Sequence, residues 1–191
     1  YADGVITQKI PGTSIAIENN WALQNPSDWL IGLKKVVHSI LNEGAISPKE
    51  VIGLGICFTS CTVLPTTEDG TPLCFLPEWK NDPHSWPKLW KHHAAQPEAD
   101  LINDLARKEE EPWLKRYGGL ISSEWLLPKA LQIFKESPEC FASTKRFIEA
   151  GDWLVWMLCG REMRSMCQAG YKALWDIKNS YPSDFFLEKL S

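Results

Sequence analysis

The stretch GICFTSCT, Gly55–Thr62, ends an apolar run in short polar side chains. Thr59, Ser60, Cys61 and Thr62 replace the Gly, Asn or Pro turn that usually follows a buried strand. One explanation is a plain strand terminus. The other is a group of hydrogen-bonding side chains at the carboxyl end of a central strand, where open α/β sheets place their ligands. LWKHH (Leu89–His93), SSEW (Ser122–Trp125) and AGYKALW (Ala169–Trp175) share this character. Each joins hydrogen-bonding groups to an aromatic or apolar anchor at an element boundary, where binding sites form. Each also has an ordinary explanation. Lys91 reads as a surface lysine, and Glu124 as an early-helix carboxylate favoured by the helix dipole. Lys172, between Tyr171 and Trp175, reads equally as a partly enclosed ammonium or an unmatched surface lysine.

Ten tryptophans enlarge the aromatic supply. On the amphipathic stretches, Trp29, Trp153 and Trp156 are expected in the core. Others could line a sugar site, where flat rings pack on C–H faces and the indole N–H donates to hydroxyls. Composition does not divide the two groups.

Other chemistries lack their residues. The chain has no GxxxxGK[ST], GxGxxG or GxSxG motif. Its six cysteines, at 57, 61, 74, 140, 159 and 167, form no CxxC pair. His92 and His93 are adjacent and so cannot share a helix face as HExxH does. Reduced, partly buried thiols are expected, with no structural metal and no thiol nucleophile. A net charge of −4 over 191 residues argues against a nucleic-acid or anionic-membrane surface. No apolar run nears the roughly 20 residues of a membrane span. YADGVITQKIPG lacks the regions of a signal peptide, and a cytoplasmic location is expected.

The elements that would position these groups are those of a soluble α/β domain, with 44% hydrophobic and 23% charged residues. NPSDWLIGLKKVVHSILNEG predicts a helix capped by Asn25, with Pro26 first, closed by Gly44, and with Trp29, Leu33, Val36, Val37, Ile40 and Leu41 on one face. VIGLGICF predicts a strand covered on both faces. TVLPTTEDGTPLCFLP predicts a hairpin turning at Glu68-Asp69-Gly70. Pro83–Trp90 is expected to be irregular. Further helices are predicted from Pro97, in GGLISSEWLLPKALQIFKES after a flexible Gly118-Gly119 and past Pro128, which sits in its first turn or kinks it, from SPECF, over FIEAGDWLVWMLCG, and in the tail. No repeat or linker divides the chain.

In this order, GICFTSCTVLPTTEDGTPLC, LWKHHAAQPEAD, GGLISSEWLLPKALQI, FIEAGDWLVWMLCG and AGYKALWD resemble the amino-terminal domain of the FGGY family of carbohydrate kinases. LWKHHAA, SSEW and AGYKALW are similar to its L-ribulose-phosphorylating branch, from about Gly4 to Asp176. The resemblance implies an actin-like, ribonuclease H-like fold with a cleft between two domains. It further implies transfer of phosphate from ATP, with Mg, to the terminal hydroxyl of L-ribulose, giving L-ribulose 5-phosphate in arabinose catabolism.

By the same match the loop Phe58–Thr62, including Thr59, Ser60 and Cys61, touches the sugar. Lys172 holds sugar oxygens, Glu124 and Trp125 wall the pocket, and Trp90 takes the place of an aromatic against the substrate. Cys57 stands where this branch usually has Asp. It either alters substrate choice or activity, or simply faces the core. The family's DxGT-type phosphate loop would precede Tyr1, and its aspartate general base, other nucleotide loops and second domain would follow Ser191. Residues 1–191 are thus expected to be a single partial domain lacking its first strands. It would carry the sugar-side half of the site, with no catalytic residue, no bound cofactor and no turnover of its own. An exposed sheet edge would be liable to self-association. A non-catalytic sugar-binding or regulatory domain of the same fold is the rival expectation. A kinase for xylulose or another polyol is a further one, against which SSEW and AGYK weigh.

Overall fold

The structure, a computed structural model, describes residues 2–44 and 46–190. Strand β1 (Val5–Ile6) pairs antiparallel with β2 (Leu23–Gln24). Helix α1 (Pro26–Glu43) follows, its first turn capped by the Asn25 side chain, which accepts from the Ser27 N–H. Strand β3 (Val63–Thr66) pairs antiparallel with the distant β4 (Arg146–Glu149), Val63 opposite Glu149 and Thr66 opposite Arg146. Residues 87–89 join the two pairs. On one side Gln24 N–H donates to Pro87 O and Leu89 N–H to Ala22 O. On the other, Val63 and Lys88 exchange both backbone hydrogen bonds, at 3.1 and 2.8 Å. The predicted irregularity of Pro83–Trp90 therefore contains the seam of the sheet.

Helix α2 (Gln96–Lys108) packs on α3 (Leu126–Glu136), and α3 on α4 (Pro138–Ser143). Pro128 lies in the first turn of α3, where its missing N–H costs no helical bond. Helix α5 (Ala150–Cys159) ends at Gly160, whose φ of 67° is the left-handed conformation that closes a helix. The short α6 (Met166–Lys172) and α7 (Asp184–Glu188) complete the order, α7 capped by Ser183. One apolar core gathers Ile102, Trp113, Ile121, Leu131, Leu174 and Phe186. Another gathers Trp29, Leu64, Ile148, Trp153 and Trp156 beneath β3 and β4, as expected for those tryptophans.

Three expectations are corrected. VIGLGICF is not a buried strand: residues 51–58 have no regular structure, and Val51, Ile52 and Leu54 are exposed. Among the described residues no strand offers them a ladder, and an apolar run cannot form sheet without a partner. Only the end of the run is anchored. Ile56 and Phe58 pack on the second core, Phe58 edge-on to Trp29 at 5.1 Å. Cys57 between them is exposed, so it does not face the core.

The stripe of α1 is likewise open, with Trp29 buried but Val36 and Ile40 exposed. Finally, FIEAGDWLVWMLCG is not all helix. Phe147–Glu149 belongs to β4, and the helix begins at Ala150. The tight turn near Asp69-Gly70 does form, with Thr67 N–H donating to Thr71 O and Gly70 at φ 86°. Beyond it the returning arm makes one bridge, Thr66 to Pro72, and β4 takes the ladder instead.

Candidate functional site

The loop that follows the open run turns back at Cys61, which has a φ of 70°. A side chain with a Cβ rarely takes that left-handed conformation, so something must hold it. Two buried ionisable side chains do. Glu149, the last residue of β4, accepts the Cys61 N–H through Oε2 at 2.9 Å. Lys129, in the first turn of α3, donates from Nζ to Cys61 O at 2.6 Å and to Leu89 O at 2.8 Å. Cys61 itself is fully buried, with Sγ 3.7 Å from Ser60 Oγ.

Burial, then the neighbouring Glu149, pushes the Cys61 thiol up to about 11, so it is a protonated packing group and no nucleophile. Burial also pushes the Glu149 carboxyl up to about 7 and pulls the Lys129 ammonium down to about 7. One oxygen of Glu149, Oε1, is buried without a partner, as is Oγ1 of neighbouring Thr62.

Around this loop the structure gathers several of the candidate residues. Glu124, just ahead of α3, sits with Oε2 3.9 Å from Lys172 Nζ and Oε1 3.7 Å from His93 Nε2. The charge of Lys172 is felt at both Cys61 and Glu149, which sets α6 beside the loop. Gly151 permits that approach. A Cβ there would meet Phe58 Cβ and Gln168 Nε2, both at 3.1 Å. Ser60 is half-buried and Thr59 exposed, so their hydroxyls lie at the surface of the loop.

Trp125 turns away from solvent in part, its ring edge-on to Tyr117 at 4.7 Å. Trp90 is exposed and follows Leu89, the second carbonyl that Lys129 holds. The arrangement offers hydroxyls, an ammonium beside a carboxylate, and indole faces. These groups can hold a polyol by hydrogen bonds and C–H packing.

The two adjacent histidines divide. His92 is buried. Its Nδ1 accepts from Ala22 N–H at 3.3 Å, and its Nε2 lies 2.9 Å from Gln132 Oε1, a pairing that fits a neutral ring with the proton on Nε2. Burial, with the Lys88 charge behind it, pulls its pKa down to about 2, so His92 is a brace and no proton shuttle. His93 alone faces Glu124.

Lys129 and Glu149 escaped the sequence reading. A faint signal exists: Lys129, Gln132 and Glu136 recur at helical spacing on a largely apolar helix. Glu149 gives none, since its strand reads as the start of a helix. Among the described residues no three His, Cys, Asp or Glu side chains come together as a metal-ligand group. Among the same residues no helix is long and apolar enough to cross a membrane.

Residues 3–188 match the family model described as the N-terminal domain of the FGGY family of carbohydrate kinases. The chain is 48% identical over 190 residues to a ribulokinase of Bacillus licheniformis and 49% identical over 190 residues to one of Shouchella clausii. A ribulokinase of Mycolicibacterium smegmatis is 47% identical over 192 residues. Each match covers 100% of this chain and 34% of the relative, so the chain spans about a third of the length of these relatives.

Among solved structures, a xyloylose (xylulose) kinase of Brucella ovis superposes with a TM-score of 0.71 at 14% identity, over 91% of this chain and 33% of that one. A gluconate kinase of Lactobacillus acidophilus does so with a TM-score of 0.60 at 13% identity, over 92% of this chain and 32% of that one. These two show the fold, that of sugar-kinase amino-terminal domains, as the actin-like, ribonuclease H-like expectation required. The chain belongs to the FGGY family of carbohydrate kinases, residues 3–188 matching its N-terminal domain.

Proposed function

We propose that the protein of which this chain forms part phosphorylates L-ribulose at its terminal hydroxyl, using ATP and Mg, as a ribulokinase in arabinose catabolism. The carrying observation is identity of 46–49% to ribulokinases over the whole of this chain. The chain is read as one partial domain that supplies the sugar-side wall. Ser60 and Thr59 offer hydroxyls to the sugar, on the loop that Cys61 turns. Lys172 donates to sugar oxygens, Glu124 orients Lys172 and accepts a sugar hydroxyl, and Trp125 and Trp90 give flat faces to C–H groups.

The described residues are given this share of the work alone. They include no phosphate-binding glycine motif and no metal-ligand group, so no residue here is assigned to ATP or Mg. Nor does any step of phosphoryl transfer follow from this chain, since that reaction depends on positioned phosphate and metal ligands. A cytoplasmic location accords with the proposed metabolic role. An exposed sheet edge is where a second copy would pair when this chain is alone.

The experiment is a coupled assay of the full-length protein with L-ribulose and MgATP, alongside Lys172→Met. Charge-assisted hydrogen bonds are worth roughly 1.5–3 kcal/mol, so kcat/KM for L-ribulose should fall about ten- to a hundredfold with the ATP KM unchanged. Preferential phosphorylation of another ketopentose would reassign the substrate. Unaltered ribulose kinetics in the variant would remove Lys172 from the site.

A further inference from the structure

Three segments carry the proposed sugar contacts: the Phe58–Thr62 loop, the stretch ending in Trp90, and the start of α3 with Glu124 and Trp125. None of them is joined to the next by the β3–β4 ladder. The Val63–Lys88 bridge brings the first two close to each other, and Lys129 adds a tie from the third to both. Lys129 Nζ rises from α3 and takes the carbonyls of Cys61 and Leu89, residues from the other two segments. On the opposite side of the same residue, Glu149 takes the Cys61 N–H, with β4 fixed behind it.

Ordinary turns satisfy such groups with backbone or water, and burying a charge there is costly. Lys129 is fully buried and Glu149 nearly so, yet their bonds go to backbone that belongs to no strand. Cys61 is also the one residue of the loop held at positive φ, a conformation that costs on the order of 1–3 kcal/mol unless surroundings over-determine it.

We propose that Lys129 and Glu149 are positioning residues that clamp Cys61 from its carbonyl and its amide. Together they hold the Phe58–Thr62 loop in register with Trp90 and Glu124. The proposal rests on reading that loop as part of the sugar-binding wall, but the clamp has a readout of its own. Cys61 is a buried thiol inside the clamp, whereas Cys74 is a buried thiol in a separate core with Trp21 and Trp86. Loosening the clamp should expose the first thiol and leave the second shut.

The test follows alkylation of Cys61 and Cys74 by iodoacetamide in the full-length protein, peptide by peptide, by mass spectrometry. Steady-state kinetics are run on the same samples. Lys129→Met keeps the stem and removes the donor. It should speed Cys61 alkylation about tenfold or more while Cys74 changes less than about twofold, the pattern of local opening. The sugar KM should rise about tenfold with the ATP KM unchanged. Glu149→Gln keeps an acceptor for the amide and should stay within about threefold of wild type, whereas Glu149→Ala should behave like Lys129→Met.

Equal acceleration at both cysteines would make the pair a general stability element and overturn the proposal. An unchanged Cys61 rate would do the same, as would a Glu149→Gln variant as impaired as the Ala variant. Should Lys129→Met fail to fold, the Gln and Ala variants decide. A wild-type protein that leaves L-ribulose untouched would sink the proposed function, and the alkylation rates would still judge the clamp.

Discussion

Two helices of similar apolar pattern meet opposite fates in this molecule. Helix α2 sets Ile102 and Ala106 into a core with Trp113, Leu131 and Phe186, and both are fully buried. Helix α1 sets Trp29 into a core but leaves Val36 and Ile40 in solvent, beside a following run whose Ile52 is 103% exposed. The sequences do not differ in kind. What differs is whether a complementary surface exists among the described residues. Helix α2 finds one in α3 and the 3₁₀ turn at Pro112–Tyr117, while the far end of α1 and residues 51–55 find none. Hydrophobic periodicity reports what an element can bury, not whether its partner is at hand.

That contrast can be broken most directly by truncating one side chain from each region of this chain. Ile102→Ala should lower unfolding stability by about 2–5 kcal/mol, because a methyl-lined void opens in a close-packed core. Ile52→Ser should stay within about 0.5 kcal/mol, since that side chain touches water already. Urea denaturation of both variants checks the pair. Comparable losses would show that residues 51–55 are packed in solution and would dissolve the comparison.

A smaller effect tests the clamp, which lies between the two regions. The folded pKa of Glu149, about 7, stands above its ordinary 4.5, so folding favours the neutral acid. Its contribution is greatest below 4.5 and is lost as pH rises from 4.5 to 7. Lys129 runs the other way. Folding favours its neutral amine, and stability is lost as pH falls from 10.5 toward about 7. Glu149→Gln removes the first slope, and the second persists because burial is its largest cause. The variant should therefore gain on wild type by on the order of 1–3 kcal/mol between pH 4.5 and pH 7. Parallel stability curves across that window would show that Glu149 is ionised and solvated.

The sequence disclosed the local structure well where local forces decide it. Asn25, Pro26 and Gly44 bound α1 as expected, and Asp69-Gly70 makes its turn. Trp29, Trp153 and Trp156 are core residues. It misled where the outcome depends on pairing. VIGLGICF has every mark of a strand except a neighbour, and RFIE reads as helix because its true partner, β3, lies about eighty residues away in sequence. The candidate site divides along the same line. Glu124, Lys172 and the Ser60 loop stand out as polar groups at element boundaries. Lys129 and Glu149, which bond the loop backbone at Cys61, look in sequence like an ordinary helical lysine and an ordinary early-helix acid. Burial is what makes them unusual, and burial is a property of the assembled chain.

The smallest expected effect sharpens the distinction between the residues proposed to hold the site and those proposed to serve it. Lys172 and Glu124 are 3.9 Å apart and both partly open to solvent. Such pairs contribute roughly 0–1 kcal/mol, because water screens the charges and two long side chains must be ordered. Lys172→Met should therefore shift the Tm of this chain by less than about 4 °C, and added salt should narrow even that difference. Lys129→Met, by contrast, strips two buried carbonyls of their donor and should move the Tm by more, since each unsatisfied group costs about 1–3 kcal/mol. Thermal melts of the two variants, in low and high salt, make the comparison at one sitting. A larger Tm loss for Lys172→Met than for Lys129→Met would reverse the roles, making Lys172 the brace and freeing Lys129 as a candidate for the sugar.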